Sequence, residues 1–348
     1  MARRHAQEGP MASNTLSGLL FRTLACSMVA ITLLFLFNNY LNFWQGWPGL
    51  APFLAHQGWL GLEPLQSPLE GVQITQGWIQ LASYLGGVLA SLGYVLAARH
   101  RPLRADADLY SALAAYIVRA AFWSVLLIGL VDMVISLLRV EGFLGSIVGE
   151  QLTKELGRPQ FRGTYVHYPL MALSFLIALF VRGLGFIWLA VLVVFAEFQI
   201  VISRFVFSYE QAFMGDLVRF WYAALFLFAS AYALVEEGHV RVDVFYANFS
   251  RRAKAWSNIV GSVFLGLPLC WIILTQGMWA KGSSINSPLI SFEISQSGFG
   301  MYVKYLMAGF LVVFAVSMII QFSSYFLSSI ADLRDEPGGR ETPAAAGH

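Results

Sequence analysis

The stretch LGFIWLAVLVVFAEFQIVISRFVF, Leu184–Phe207, decides the fold. Its apolar run is broken by one central charge, Glu197, and by Arg204 close to its end. At a rise of about 1.5 Å per residue, about 20 such residues reach across the ~30 Å hydrocarbon layer of a bilayer as one helix. A backbone in lipid has to satisfy its own hydrogen bonds, and a helix does so within a single segment.

Seven more segments meet or approach the same test: Leu16–Phe37, Gly77–Ala97, Ala112–Leu138, Val166–Val181, Leu217–Val235, Ile259–Ala280 and Met301–Ile330. Val166–Val181 is short and ends at Arg182; it either crosses, bends into the next segment or lies in the interface. Met301–Ile330 is long enough to tilt or to run past the membrane. The composition agrees. Of the 348 residues, 57% are hydrophobic and only 12% charged, against about a quarter charged in soluble domains. Lipid-facing surfaces cannot solvate charge, and the 28 Phe and 10 Trp suit such surfaces and the headgroup belts. The fold expected is an all-α integral membrane protein of about eight transmembrane helices. The scattered bases and net charge of +2 give no footprint for nucleic acid. Cys26 and Cys270 sit inside apolar runs and read as small hydrophobes. Arg3, Arg4 and Arg22 precede an apolar run that continues to Phe37 with no small-x-small cleavage pattern, so a signal anchor is expected.

Basic residues set the expected orientation. With both termini cytoplasmic, the loop 38–76 is periplasmic and has no Lys or Arg, while 99–111 is cytoplasmic and carries Arg99, Arg101 and Arg104. The loop 236–256, with Arg241, Arg251, Arg252 and Lys254, is also cytoplasmic. One loop fits poorly: 139–165 would be periplasmic yet holds Arg139, Lys154, Arg158 and Arg162. A short amphipathic helix is expected there around Gln151–Leu156. The Trp-rich loop 38–76 is expected on the membrane surface, and residues 334–348 as a disordered tail.

Charge inside a membrane is costly and each instance is a candidate for function. Arg119 and Asp132 in the third segment and Glu197 in the fifth are the candidates for buried polar contacts. They serve either an ion or proton path or an interhelical pair, for instance with Arg119 or Arg204. Asp216 and Arg219 are three apart and can pair on one helix face. Ser83, Gly87 and Ser91 recur every fourth residue and form a face on which a helix backbone, of this chain or of a partner, can approach closely. His167 and His239 lie at segment ends, away from where a haem ligand would sit. No nucleophile set, phosphate loop or metal spacing is present in the sequence, so neither catalysis nor a cofactor is expected.

Three stretches carry a resemblance. FSYEQAFMGDLVRFWYAALFLFASAYAL (Phe207–Leu234) follows the Arg204-Phe205 pair and places Asp216 ahead of Arg219 and aromatics. VEEGHVRVDVFYANFSRRAKAW (Val235–Trp256) holds Gly238, His239, Arg241 and Asp243 ahead of a basic helix that Ser250 can cap. SINSPLISFEISQSGFGMYVKYLMAGFLV (Ser284–Val312) holds a Ser-Pro pair and a Tyr-x-Lys entry to the last helix. Together, 184–333 resembles the DctQ-like small membrane subunit of tripartite ATP-independent periplasmic (TRAP) transporters of the bacterial inner membrane.

The resemblance implies a four-helix, non-catalytic subunit. It would brace a large permease that moves substrate and sodium by an elevator motion, and help dock a periplasmic solute-binding protein that delivers organic anions. Residues 1–183, with about four further helices and two long periplasmic loops, exceed the family pattern. Two other readings stay open: a structural subunit of another membrane complex, and an independent ion pathway built on Arg119, Asp132 and Glu197.

Overall fold

The computed structural model describes residues 15–182, 186–235, 246, 248–295 and 300–338. Among them are eight helical spans long and apolar enough to cross a membrane, and no strand. The first three are α1 (Leu16–Trp44), α3 (Gly71–Ala97) and α4 (Leu103–Val140), with the short α2 (Leu50–His56) between α1 and α3. After α5 (Leu144–Val148) and α6 (Glu150–Leu156), the fourth span runs through α7 (Pro159–Arg162), a π-helical turn (Gly163–His167) and α8 (Tyr168–Phe180). Next come α9 (Phe186–Phe207) and α10 (Ala212–Val235). The seventh span joins α11 (Arg251–Val260) to α12 (Leu267–Met278) through a second π turn (Gly261–Gly266). The short α13 (Asn286–Ser291) precedes the last span, α14 (Lys304–Leu333).

The spans follow hydropathy, and their ends follow capping. Thr15 accepts from the Gly18 amide at 3.3 Å and starts α1. Ser250 accepts from the Ala253 amide at 3.3 Å and starts α11, so the basic helix expected there is continuous with the seventh span. The fourth span starts at Pro159, upstream of the expected Val166, because Pro at a first helical position is already set for a helix. The last helix begins at Lys304, three residues after the expected start, for a reason given below.

Packing divides the chain into two compact units: Met1–Ala112 with Val240–Leu269 and Ile319–His348, and Leu113–His239 with Cys270–Met318.

In the first unit α1 packs on α3. Leu34 lies against Gly87, where a Cβ would come within 2.4 Å of the leucine Cδ1 and make that side chain shift. Asn38 donates to Ser83 at 3.1 Å, and Gln80 bridges Asn42 and the Gly49 amide. Arg22 is fully buried, ion-paired with Asp106 at 2.6 Å and donating to the Ala98 carbonyl at 2.9 Å. Asp106 lies in the first turn of α4, where the helix dipole favours an anion. Asp332 pairs with Arg104 at 2.7 Å and with Arg251 at 3.2 Å. Arg104 also donates to the Glu336 carbonyl, which holds the first residues of the tail.

In the second unit Phe122, Val125 and Ile128 of α4 pack with Phe213, Leu217, Phe220 and Trp221 of α10 and with Tyr305, Leu306 and Phe310 of α14. The Trp221 indole donates to the Val125 carbonyl at 3.2 Å. Leu192, Val193, Ala196 and Ile200 bring one face of α9 against this core.

Candidate functional site

The polar centre of the second unit is built on Asp132, which α4 places at complete burial. Its Oδ1 accepts from Arg162 Nη1 at 3.0 Å and faces His167 Nε2 at 3.1 Å. Its Oδ2 accepts from the Tyr302 amide at 2.8 Å. A carboxylate only accepts, so His167 donates through Nε2; its Nδ1 meets the Tyr305 hydroxyl at 2.8 Å. Arg162 and His167 are themselves fully buried.

Arg162 is held from several sides. Its Nε donates to the Leu156 carbonyl at 2.9 Å, and its guanidinium lies 3.9 Å from the centre of the Tyr302 ring. The Tyr302 hydroxyl donates to the Gly157 carbonyl at 3.0 Å and accepts from Arg139. Arg162 Nη2 is buried with no hydrogen-bond partner among the described residues.

The π turn brings these groups together. It lies between Arg162 and Tyr168, and Gly163 at its start faces the Phe292 ring. A Cβ on Gly163 would lie 2.3 Å from that ring and 3.2 Å from the Tyr305 hydroxyl.

A second carboxylate acts beside the first. Asp216 of α10 accepts from the Met301 amide at 3.0 Å and from Ser295 Oγ at 3.2 Å, and pairs with Arg219 at 3.3 Å. Asp132 and Asp216 thus take the amides of consecutive residues from two different helices. Residues 300–303 are buried and non-helical, and unpaired amides there would cost free energy comparable to a lost hydrogen bond. This is why α14 starts at Lys304. Lys304 pairs with Glu293 at 2.5 Å.

The other candidates are placed differently. Arg119 is half-buried, and its Nε has no partner among the described residues. Glu197 is exposed on α9, and no hydrogen bond or ion pair of it is present among the described residues. Arg204, one of its expected partners, turns to Glu210 at 3.4 Å. Ser83, Gly87 and Ser91 face inward within the first unit, toward α1 at Ser83 and Gly87. Gly238, His239, Arg241 and Asp243 lie outside the described residues. His167, expected at a segment end, is inside the continuous span Pro159–Phe180. Outside the spans, burial and the Glu141 carboxylate, to which it donates at 2.6 Å, push the Tyr209 phenol up to about 12.

Arg162, His167, Tyr302 and Tyr305 belong to this polar centre, and the reading of single segments missed them. One signal was available: the excess of bases in 139–165. Arg139 and Arg162 turn inward to Tyr302 and Asp132, and Arg158 pairs with Glu155 at 3.0 Å.

Residues 190–328 match the family model of the DctQ component of tripartite ATP-independent periplasmic transporters. This part of the chain is DctQ-like. No curated protein and no solved structure matches the chain. The described residues hold eight helices long and apolar enough to cross a membrane, which suits a multi-pass membrane chain. The match does not extend into residues 1–189. Asp132, Arg162 and His167 stand before it, and Asp216, Tyr302 and Tyr305 within it. The Asp132 network therefore ties preceding helices into the DctQ-like segment inside the second unit.

Proposed function

We propose that this chain is the non-catalytic small subunit of a TRAP transporter for organic anions. It braces the large permease and helps dock the periplasmic binding protein, with both termini cytoplasmic. The observation that carries the reading is how the buried charge of the second unit is used. Asp132 is spent on Arg162, His167 and the Tyr302 amide, and Asp216 on Met301, Ser295 and Arg219. Groups fixed in this way hold a scaffold still; an ion or substrate path needs groups that exchange partners. The DctQ match supplies the transporter context.

A second reading, a structural subunit of another membrane complex, is supported by the length of chain ahead of the match. Purification of the tagged full chain from its native membrane in mild detergent, with mass spectrometry of what accompanies it, separates the two. A large permease is the expected companion; an unrelated membrane complex without a permease would favour the second reading. Reconstituted alone, the chain is expected to give no uptake of organic acids, and measurable uptake would refute the subunit role.

A further inference from the structure

Glu197 sits at the centre of the least covered membrane span. It lies 11 residues from the start of α9 and 10 from its end. At about 1.5 Å per residue it is roughly 15 Å from either end, which is the middle of a ~30 Å hydrocarbon layer. Only 6% of the α9 window is buried, against 56% for the last helix. Val194 and Val201, a turn to either side of Glu197, are 66% and 49% exposed. Phe195, Phe198 and Phe205 extend the same uncovered surface.

An exposed apolar helix alone is what lipid requires, but a carboxylate at mid-bilayer is not. Acyl chains offer neither a hydrogen-bond donor nor a counter-charge, so an intramembrane acid is placed against a partner or an aqueous cavity. Within this chain the neighbour on the same face, Arg204, is engaged with Glu210 near the helix end. Two copies meeting through a two-fold crossing at this point would set Glu197 against Glu197, and neither would bring the other a counter-charge.

We infer that the Glu197 face of α9 docks a transmembrane helix of a different integral membrane chain, one that brings a hydrogen-bond-donating side chain, above all Arg or Lys, to mid-bilayer. The inference rests on the proposed transporter role only for the partner's identity, which on that reading is the large permease. The carboxylate supplies specificity and depth register, while the surrounding Val and Phe supply contact area.

The test places a photoreactive amino acid at Val194 or Val201 of the full chain in its native membrane, with Leu89, exposed on α3, as a control position. Crosslinks from both α9 positions are expected to reach one other membrane chain, on a transmembrane peptide that contains Arg, Lys, His, Asn or Gln. Glu197→Leu is expected to lower recovery of that chain about three- to ten-fold, the range spanned by intramembrane polar contacts. Glu197→Gln, which still hydrogen-bonds, should retain most of it. The melting temperature of the isolated chain should not move, since Glu197 makes no hydrogen bond or ion pair among the described residues. Crosslinks confined to lipid or to a second copy, or unchanged recovery with Glu197→Leu, would overturn the inference. A permease that co-purifies but never crosslinks to α9 would leave the transporter role standing and remove this interface. A non-permease chain crosslinked through α9 would do the reverse.

Discussion

Asp132→Asn is the sharpest perturbation of the buried network. The wild-type carboxylate accepts on both oxygens: from Arg162 and His167 on one, from the Tyr302 amide on the other. Asparagine has one acceptor oxygen, and its amide nitrogen would face a second donor whichever way it is turned. The substitution also leaves Arg162 charged, fully buried and without its counter-ion. Breaking a buried pair from one side costs about 3–5 kcal/mol. At roughly 2 °C per kcal/mol, the low end for large domains, melting in detergent should fall by about 6–10 °C. Tryptophan fluorescence on heating reads this directly, since Trp221 lies in the same unit. Adding Arg162→Met removes the orphaned charge and should recover a large part of the loss. A fall of less than about 1 °C for the single variant, or purely additive losses in the double, would refute the account of a coupled ion pair.

Other consequences can be tested alongside. Asp216→Asn should cost less, about 1–2 kcal/mol, because Asp216 and Arg219 are nearer solvent; faster hydrogen exchange at the Met301 amide is the specific readout. Gly163→Ala should destabilise by about 1–3 kcal/mol through overpacking on Phe292, and Phe292→Leu should relieve part of that in a melting assay. Because Tyr209 titrates higher when folded, at about 12, it stabilises the fold below the unfolded tyrosine range near 10. That contribution disappears as pH rises through the folded value. The melting-temperature gap between wild type and Tyr209→Phe should therefore close between about pH 10 and 12, modestly, since the pair is partly exposed.

Much of the fold was legible because lipid imposes one rule on the whole chain. Hydropathy located α1, α3, α4, α9, α10 and the last two spans, and Ser250 announced α11 through its capping chemistry. The fourth span reads short in the sequence because Arg162 looks like a loop residue until Asp132 is known to pair with it. Likewise 301–303 are apolar enough to count as helix, and only the carboxylates at Asp132 and Asp216 explain why they are not. The site itself was half legible. Asp132 stood out as charge in an apolar segment, but its partners are 30 and 35 positions away, and nothing local joins them. Arg22 reads as a base flanking the first apolar run because it sits close to the start of its segment, and only Asp106 shows it to be a buried ion-pair partner.

The π turn at Gly163–His167 has a consequence for descent as well as for packing. Such a turn takes one residue more than an α-turn, so residues five apart across it stand where residues four apart would stand in an α-helix. Arg162 and His167 are five apart in this way, and so share the face that meets Asp132. Removing a single residue between them, Thr164 for example, would leave a plain α-turn with its flanks facing nearly the same way. In this region one residue of chain length is more readily given up than a charge, and the surplus could have entered an older α-helix without unseating the pair.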